Sequence, residues 1–115
     1  MGPALRAAFE QELSAARSAA SAKDWAKAWT CMERAHVLGQ RSTRTHVYAH
    51  ARMLQFAWRR RDIREFAGQL TRIAGASLLS WIWIPEGNTG GSRVSAFRRM
   101  PIPADLARIL DEDRT

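Results

Sequence analysis

Glu33, His36, His46 and His50 are residues whose types and spacing could hold a metal ion, and the last three are every histidine of the chain. Glu33 and His36 sit three apart in ERAHVLGQ, and His46 and His50 sit four apart in HVYAHARML. In a helix each of these spacings puts both side chains on one face. With a turn centred near Arg41, antiparallel helices set His36 and His46 at equal height, ~7.5 Å from the turn. Glu33 and His50 follow at ~12 and ~13.5 Å, one helical turn further along. Neutral imidazoles and a carboxylate at that level suit zinc, iron, copper, nickel or manganese. Helices packed ~8–10 Å apart let side chains from both reach a common ion. Met53 continues the His46–His50 line and is a candidate additional ligand. A single ion is expected, unless Glu65, Glu10 or a second copy of the chain in a homodimer adds donors.

Each residue also has a plainer reading. A histidine on an apolar stripe is more often a core residue hydrogen-bonded to backbone. Glu33 could pair with Arg34, Arg44 or Arg52, an exchange worth little on a surface. Glu65 fits better as the capping-box partner of Asp62 than as a ligand, and Met53 fits better as packing. Four candidate donors level across one hairpin argue for the metal more strongly than any one of them.

The elements that must position these residues are helices. Leu5, Phe9, Leu13, Ala16 and Ala20 form one stripe at helical spacing. Asp24 is a plausible N-cap for a second helix, with Trp25, Ala28, Trp29, Met32, Ala35 and His36 inward, stopping at Gly39. Ser42 or Thr43 can cap a third, whose inner stripe includes Val47, His50, Met53, Leu54, Ala57 and Trp58. Asp62-Ile63-Arg64-Glu65 opens a fourth, with Ile63, Phe66, Ala67, Leu70, Ile73 and Ala74 expected inward. The predicted fold is mainly α: two antiparallel helical hairpins, bundle-like or similar to tetratricopeptide pairs. The second and fourth helices begin alike, as DWAKAW and DIREFA.

After Gly75 the character changes. SLLSWIWI mixes β-formers into an apolar run that suits a buried strand or an extended segment. Asn88-Thr89-Gly90-Gly91 reads as a tight loop, because adjacent glycines permit positive φ and close backbone approach. It matches neither the G-x-x-x-x-G-K-S/T nor the G-x-G-x-x-G nucleotide pattern. Asn88 or Thr89 could reach the metal pocket behind the ligands or as a lid. Ser95 has no His–Asp partner pattern, so no nucleophilic role is assigned. Pro101 and Pro103 lead into a short last helix. The whole, 1–115, reads as a single domain: a helical core over about 4–75, an extended and loop segment over 76–103, and a helix over 104–111.

Composition narrows the classes. In 115 residues, 46% are hydrophobic and 25% charged, ordinary for a globular chain with a real core. The lone Cys31 excludes an internal disulfide framework and points to the cytoplasm. MGPALRAAFEQEL carries acids where an export signal needs an apolar core. The run SLLSWIWI is far short of the ~20 residues of a membrane helix, so no membrane is expected. The net charge is +7, but it is spread, and only WRRRD and FRRM cluster. Without a reading motif, nucleic acid is the weaker partner expectation.

ERAHVLGQ and HVYAHARML, together with EFAGQLTRI (65–73) and PEGNTGGSRVSAFRRMPIP (85–103), resemble a small bacterial family known as domain of unknown function 3703. The resemblance runs from about Leu5 to Leu110 and implies no activity. It implies that the histidine hairpin and the glycine loop form one module. A weaker likeness, in site geometry alone, is to DinB-type bundles, which His36 with His46 and His50 would match. Ferritin-like bundles use Glu-x-x-His twice, whereas this chain has it once. Three function classes follow. The first is a metalloprotein with a transition ion between the second and third helices, open to a small-molecule substrate and to oxidative or hydrolytic chemistry. The second is a non-catalytic helical module binding protein or nucleic acid through Arg59, Arg60, Arg61, Arg98 and Arg99. The third is noncovalent haem or soft-metal handling, with His46 or His50 axial and Cys31, Met32 and Met53 adding sulfur.

Overall fold

In the computed structural model the chain forms five helices: α1 (Pro3–Ser21), α2 (Trp25–Gly39), α3 (Thr43–Arg60), α4 (Ile63–Leu79) and α5 (Ala104–Glu112). The structure describes residues 1–79 (backbone alone from 76), 88, 90, 91 and 98–114. The segment expected as a strand, WIWI at 81–84, and Thr89 of the glycine loop lie outside the described residues. Among those described the fold is mainly α and has no strand. No helix among them is long and apolar enough to cross a membrane.

Pro3 starts α1, where its missing N–H costs nothing. The helix buries Leu5, Phe9, Leu13, Ala16 and Ala20, the stripe its periodicity predicts, and Ala19 beside them. It ends at Lys23, which takes a left-handed conformation (φ 59). There the Lys23 N–H donates to the Ala20 carbonyl (3.0 Å) and the Asp24 N–H to the Ala19 carbonyl (2.9 Å), the paired bonds of a Schellman ending. Asp24 then caps α2 by accepting from the Lys27 N–H. The α3–α4 link repeats this design. Arg61 is left-handed (φ 57), its N–H and that of Asp62 donate to the Trp58 and Ala57 carbonyls, and the Asp62 carboxylate accepts from the Glu65 N–H at 3.1 Å. The likeness of DWAKAW and DIREFA is therefore a likeness of joints.

The α2–α3 turn is built differently. Gly39 is the last residue of α2 and does not adopt the left-handed ending expected from its position. Its missing side chain is used for close approach, since a Cβ there would lie 2.9 Å from the Phe9 ring and 3.2 Å from the Thr45 carbonyl oxygen. Ser42 occupies the N-cap position of α3 without a side-chain cap bond. The Thr45 hydroxyl closes the turn by donating to the Gly39 carbonyl at 2.7 Å.

The four long helices follow as neighbours in a row. α1 packs on α2, α2 on α3 and α3 on α4, and among the described residues α1 and α4 make no close backbone approach. This arrangement is nearer to stacked hairpins than to four helices closed about one axis. α5 returns to α1 and α2, burying Leu106 and Leu110. Arg34 of α2 pairs with Glu12 of α1 (2.8 Å) and with Asp105 of α5. Arg41 donates to the Leu110 carbonyl at 2.7 Å. The acidic end of the chain is held as well, because the Asp113 carboxylate accepts from the Gly2 N–H.

Three expectations are corrected here. α4 passes through Gly75 to Leu79, because Ala74, Ala76, Leu78 and Leu79 are good helix formers that offset the ~1 kcal/mol cost of one glycine. Its inward face is also rotated from the apolar stripe. Ile63 and Leu70 are 81% and 51% exposed, whereas Glu65 and Gln69 are buried at 6% and 0%. Ala67 and Ala74 also face solvent. At the end of α3, Trp58 is exposed rather than inward.

Candidate metal centre

His36 comes from the end of α2, and His46 and His50 from the first half of α3. The short turn brings them level, and all three are buried, with 2%, 8% and 3% of their surface exposed. The Nε2 atom of His36 lies 3.0 Å from Nε2 of His50 and 3.0 Å from Nε2 of His46. One nitrogen from each ring can be chosen so that all lie within 4.8 Å of one another. The ring centroids are 4.5–5.0 Å apart.

What surrounds the rings decides their tautomers. His36 Nδ1 is 2.7 Å from the Asn88 carbonyl oxygen. A carbonyl only accepts, so Nδ1 carries the proton and Nε2 of the neutral ring is a bare lone pair. His50 Nδ1 is 2.6 Å from Gln69 Oε1. The orientation of that amide is fixed by its other end, where Nε2 donates to the Glu65 carboxylate and to the Gly90 carbonyl, both at 2.8 Å. His50 Nδ1 is therefore also the donor and its Nε2 is also bare. Two lone pairs face each other at 3.0 Å inside the protein. His46 differs from both, since its buried Nδ1 has no hydrogen-bond partner among the described residues.

A proton is a poor resident for this position. Burial, then the charges of His50 and His46, push His36 well below its ordinary value, against the help of the Asn88 carbonyl. Burial lowers His46 to about 4, with His50 contributing. His50 also falls to about 4, chiefly by burial, although its Gln69 partner opposes the shift. At neutral pH the three rings are uncharged and their nitrogens are free to act as ligands. What the arrangement can do chemically is bind a cation.

Of the residues named from sequence, His36, His46 and His50 come together. Glu33 is half-buried on α2 and, among the described residues, is outside the group whose donor atoms converge. Met53 is fully buried in the apolar core. Glu65 is joined to His50 through Gln69 while its backbone N–H is capped by Asp62, so it stands behind the ligands. Asn88 does the same for His36 through its backbone carbonyl, and its side chain ties the loop by accepting from the Gly90 N–H (2.9 Å) and donating to the Arg98 carbonyl (2.7 Å). Of the aromatic residues on α2 and α3, Tyr48 and Trp58 are exposed, while Trp25 and Trp29 pack on Phe56. Gln69 was missed. The signal for it in the sequence is a polar pair, Glu65 and Gln69, spaced i, i+4 on one face of α4.

Gly90 closes the site at van der Waals range. It has φ +85, and a Cβ there would fall 2.7–2.8 Å from three atoms of the His36 ring. The histidine hairpin and the glycine loop are thus parts of one structure.

No curated protein and no solved structure matches this chain. The family model described as "Protein of unknown function (DUF3703)" matches residues 3–110, nearly the whole length and both halves of the centre, and the chain belongs to that family.

Proposed function

We propose that the chain is a small helical metalloprotein that binds one first-row transition-metal ion through Nε2 of His36, His46 and His50. The observation that carries this reading is the opposition of two lone pairs, on His36 and His50, that buried acceptors hold facing each other at 3.0 Å. Such a contact is repulsive when empty and favourable around a cation. Two neighbouring ligands with bonds near ~2.1 Å lie ~3.0 Å apart at octahedral angles and ~3.4 Å apart at tetrahedral ones. The rings need to part by only a few tenths of an ångström for the latter. Backing each ligand ring with an acceptor on its other nitrogen is how metal sites orient imidazole. An all-nitrogen set suits zinc, copper, nickel or iron better than manganese, which favours oxygen donors. The proposed set leaves out Glu33, which lies outside the convergent group. Three protein ligands leave a position for water or a substrate atom, the donor count of many catalytic zinc sites. Hydrolytic or oxidative chemistry would begin there. Rings in contact at 3.0 Å leave no room for a haem macrocycle between them.

The test is metal analysis by mass spectrometry on tag-free protein, before and after reconstitution. Roughly one equivalent of a single transition metal per chain is expected, with His50→Ala reducing it to background. A wild-type protein that retains no metal even after reconstitution would overturn the proposal.

A second reading, a helical module that docks another protein, is favoured by one separate observation. Trp58, Ile63 and Leu70 are exposed together with Arg59, Arg60, Arg61 and Arg64 around the α3–α4 joint. A partner for that surface would carry acidic groups around an apolar anchor. Its binding should weaken with salt and with Trp58→Ala, and should be indifferent to His50→Ala.

A further inference from the structure

The three rings of the centre are not equivalent. His36 and His50 are each held from behind by a buried acceptor, the Asn88 carbonyl and the Gln69 amide oxygen. Those bonds lock the ring orientation and keep the proton away from the coordinating nitrogen. His46 has no such support, and its Nδ1 is buried without a partner among the described residues. It is also the most exposed of the three and sits in the first turn of α3, where its backbone N–H donates to the Ser42 carbonyl.

Either state of this ring leaves something unmade. With Nε2 on the ion, the proton must reside on Nδ1, which is then a buried donor with nothing to donate to, and such a group carries its full desolvation penalty. With the proton on Nε2, the ring no longer coordinates, but that N–H points toward the position of the ion, where His36 Nε2 lies 3.0 Å away. The first state weakens the bond to the metal. The second makes His46 a hydrogen-bond donor to whatever replaces it.

We propose that His46 is the exchangeable member of the centre, giving up the ion to a small monodentate anion of the azide or formate class. The inference rests on the metal centre proposed above. In the exchange the bond between the ion and His46 Nε2 breaks and a bond to the anion forms. The ring remains neutral, moving its proton from Nδ1 to Nε2 by way of solvent, and the new N–H donates to the bound anion. His36 and His50 stay on the ion throughout. The centre is then a two-histidine anchor with a third histidine that switches between ligand and donor.

Cobalt(II) loaded into the full, tag-free chain tests this through its visible absorption. Azide should change the wild-type spectrum saturably without removing cobalt. His46→Ala and the closer mimic His46→Gln should bind cobalt within about tenfold of wild type, and exogenous imidazole should restore the wild-type spectrum to His46→Ala. His36→Ala and His50→Ala should lose about a hundredfold or more, the larger loss reflecting rings supported from behind. Equal damage from all three alanine variants, or a wild-type spectrum inert to azide, would sink the exchange while leaving the metal centre intact. Failure of the wild-type protein to take cobalt at all would remove both. An inert wild-type spectrum overturns the exchange without any variant, so misfolding of a mutant cannot hide that outcome. The contrast between the His46 and the His36 and His50 variants separates exchange of His46 from azide filling the open position.

Discussion

Two residues behind the histidines carry as much of the centre as the ligands do. Gln69 satisfies three groups at once: the His50 N–H, the Glu65 carboxylate and the Gly90 carbonyl. Gln69→Leu keeps the volume but takes the shared partner from one donor and two acceptors in the interior, which costs about 1–3 kcal/mol. It should also weaken metal binding by roughly 10–100-fold, the usual effect of losing an outer partner. Urea unfolding and metal titration read the two effects separately, and a variant that lost stability while keeping full affinity would show that His50 orients itself. Gly90→Ala combines a left-handed backbone with a methyl group driven into the His36 ring. We expect a loss of about 1–3 kcal/mol, with a greater loss of metal affinity than Gln69→Leu produces. From sequence, the adjacent glycines could be read as a tight loop, but the ring they admit could not be identified. That contact joins residues 36 and 90, and no local pattern encodes it.

The helices themselves were legible where one physical rule dominated. In α1 apolar burial is the only demand, and the stripe from Leu5 to Ala20 was read correctly. α4 obeys two demands. Its periodicity aims Ile63 and Leu70 inward, but the hydrogen bonds of Glu65 and Gln69 to the centre turn the polar pair inside instead. A polar network that is fully paired can outweigh a modest apolar stripe. The separation of Glu33 from the histidines has a similar geometric origin. At ~100° per residue, an i, i+3 pair diverges by about 60° and an i, i+4 pair by about 40°. Matching heights set His46 level with His36 but say nothing of angle, and Glu33 falls outside the convergent group. The joints offer a further test at this scale. Lys23 and Arg61 both hold the left-handed position that glycine usually fills. Lys23→Gly should stabilise the fold by about 0.5–1 kcal/mol, seen as a higher urea midpoint with unchanged slope. No gain would mean that the lysine side chain supplies compensating contacts.

At the scale of the whole molecule, the buried rings set how stability responds to acid. In the metal-free protein burial lowers His46 and His50 to about 4 and holds His36 well below its ordinary value, whereas an unfolded histidine titrates near 6.5. Between those values the unfolded chain binds more protons than the folded one. Stability is therefore complete above about pH 6.5 and falls as the pH drops toward 4. The slope approaches about 1.4 kcal/mol per pH unit for each ring that stays neutral. Chemical denaturation at intervals from pH 7.5 to 4.5 should show this decline, and replacing His50 with leucine should make it shallower by that one ring's share. A flat profile in the wild-type protein would mean that the rings reach water before the fold is lost. A bound ion should raise the melting temperature most at the upper end of this range, where protons do not compete for the nitrogens.

The bond from the Gly2 N–H to the Asp113 carboxylate brings the two ends of the described chain side by side. Fusing them through a short flexible bridge and reopening the backbone between Ala22 and Lys23 would yield a circular permutant with every packed helix intact. Such a rearranged polypeptide would begin with the histidine hairpin and finish with α1. Its refolding would then show whether the ion-binding pair of helices assembles unaided or waits for the helix that normally precedes it.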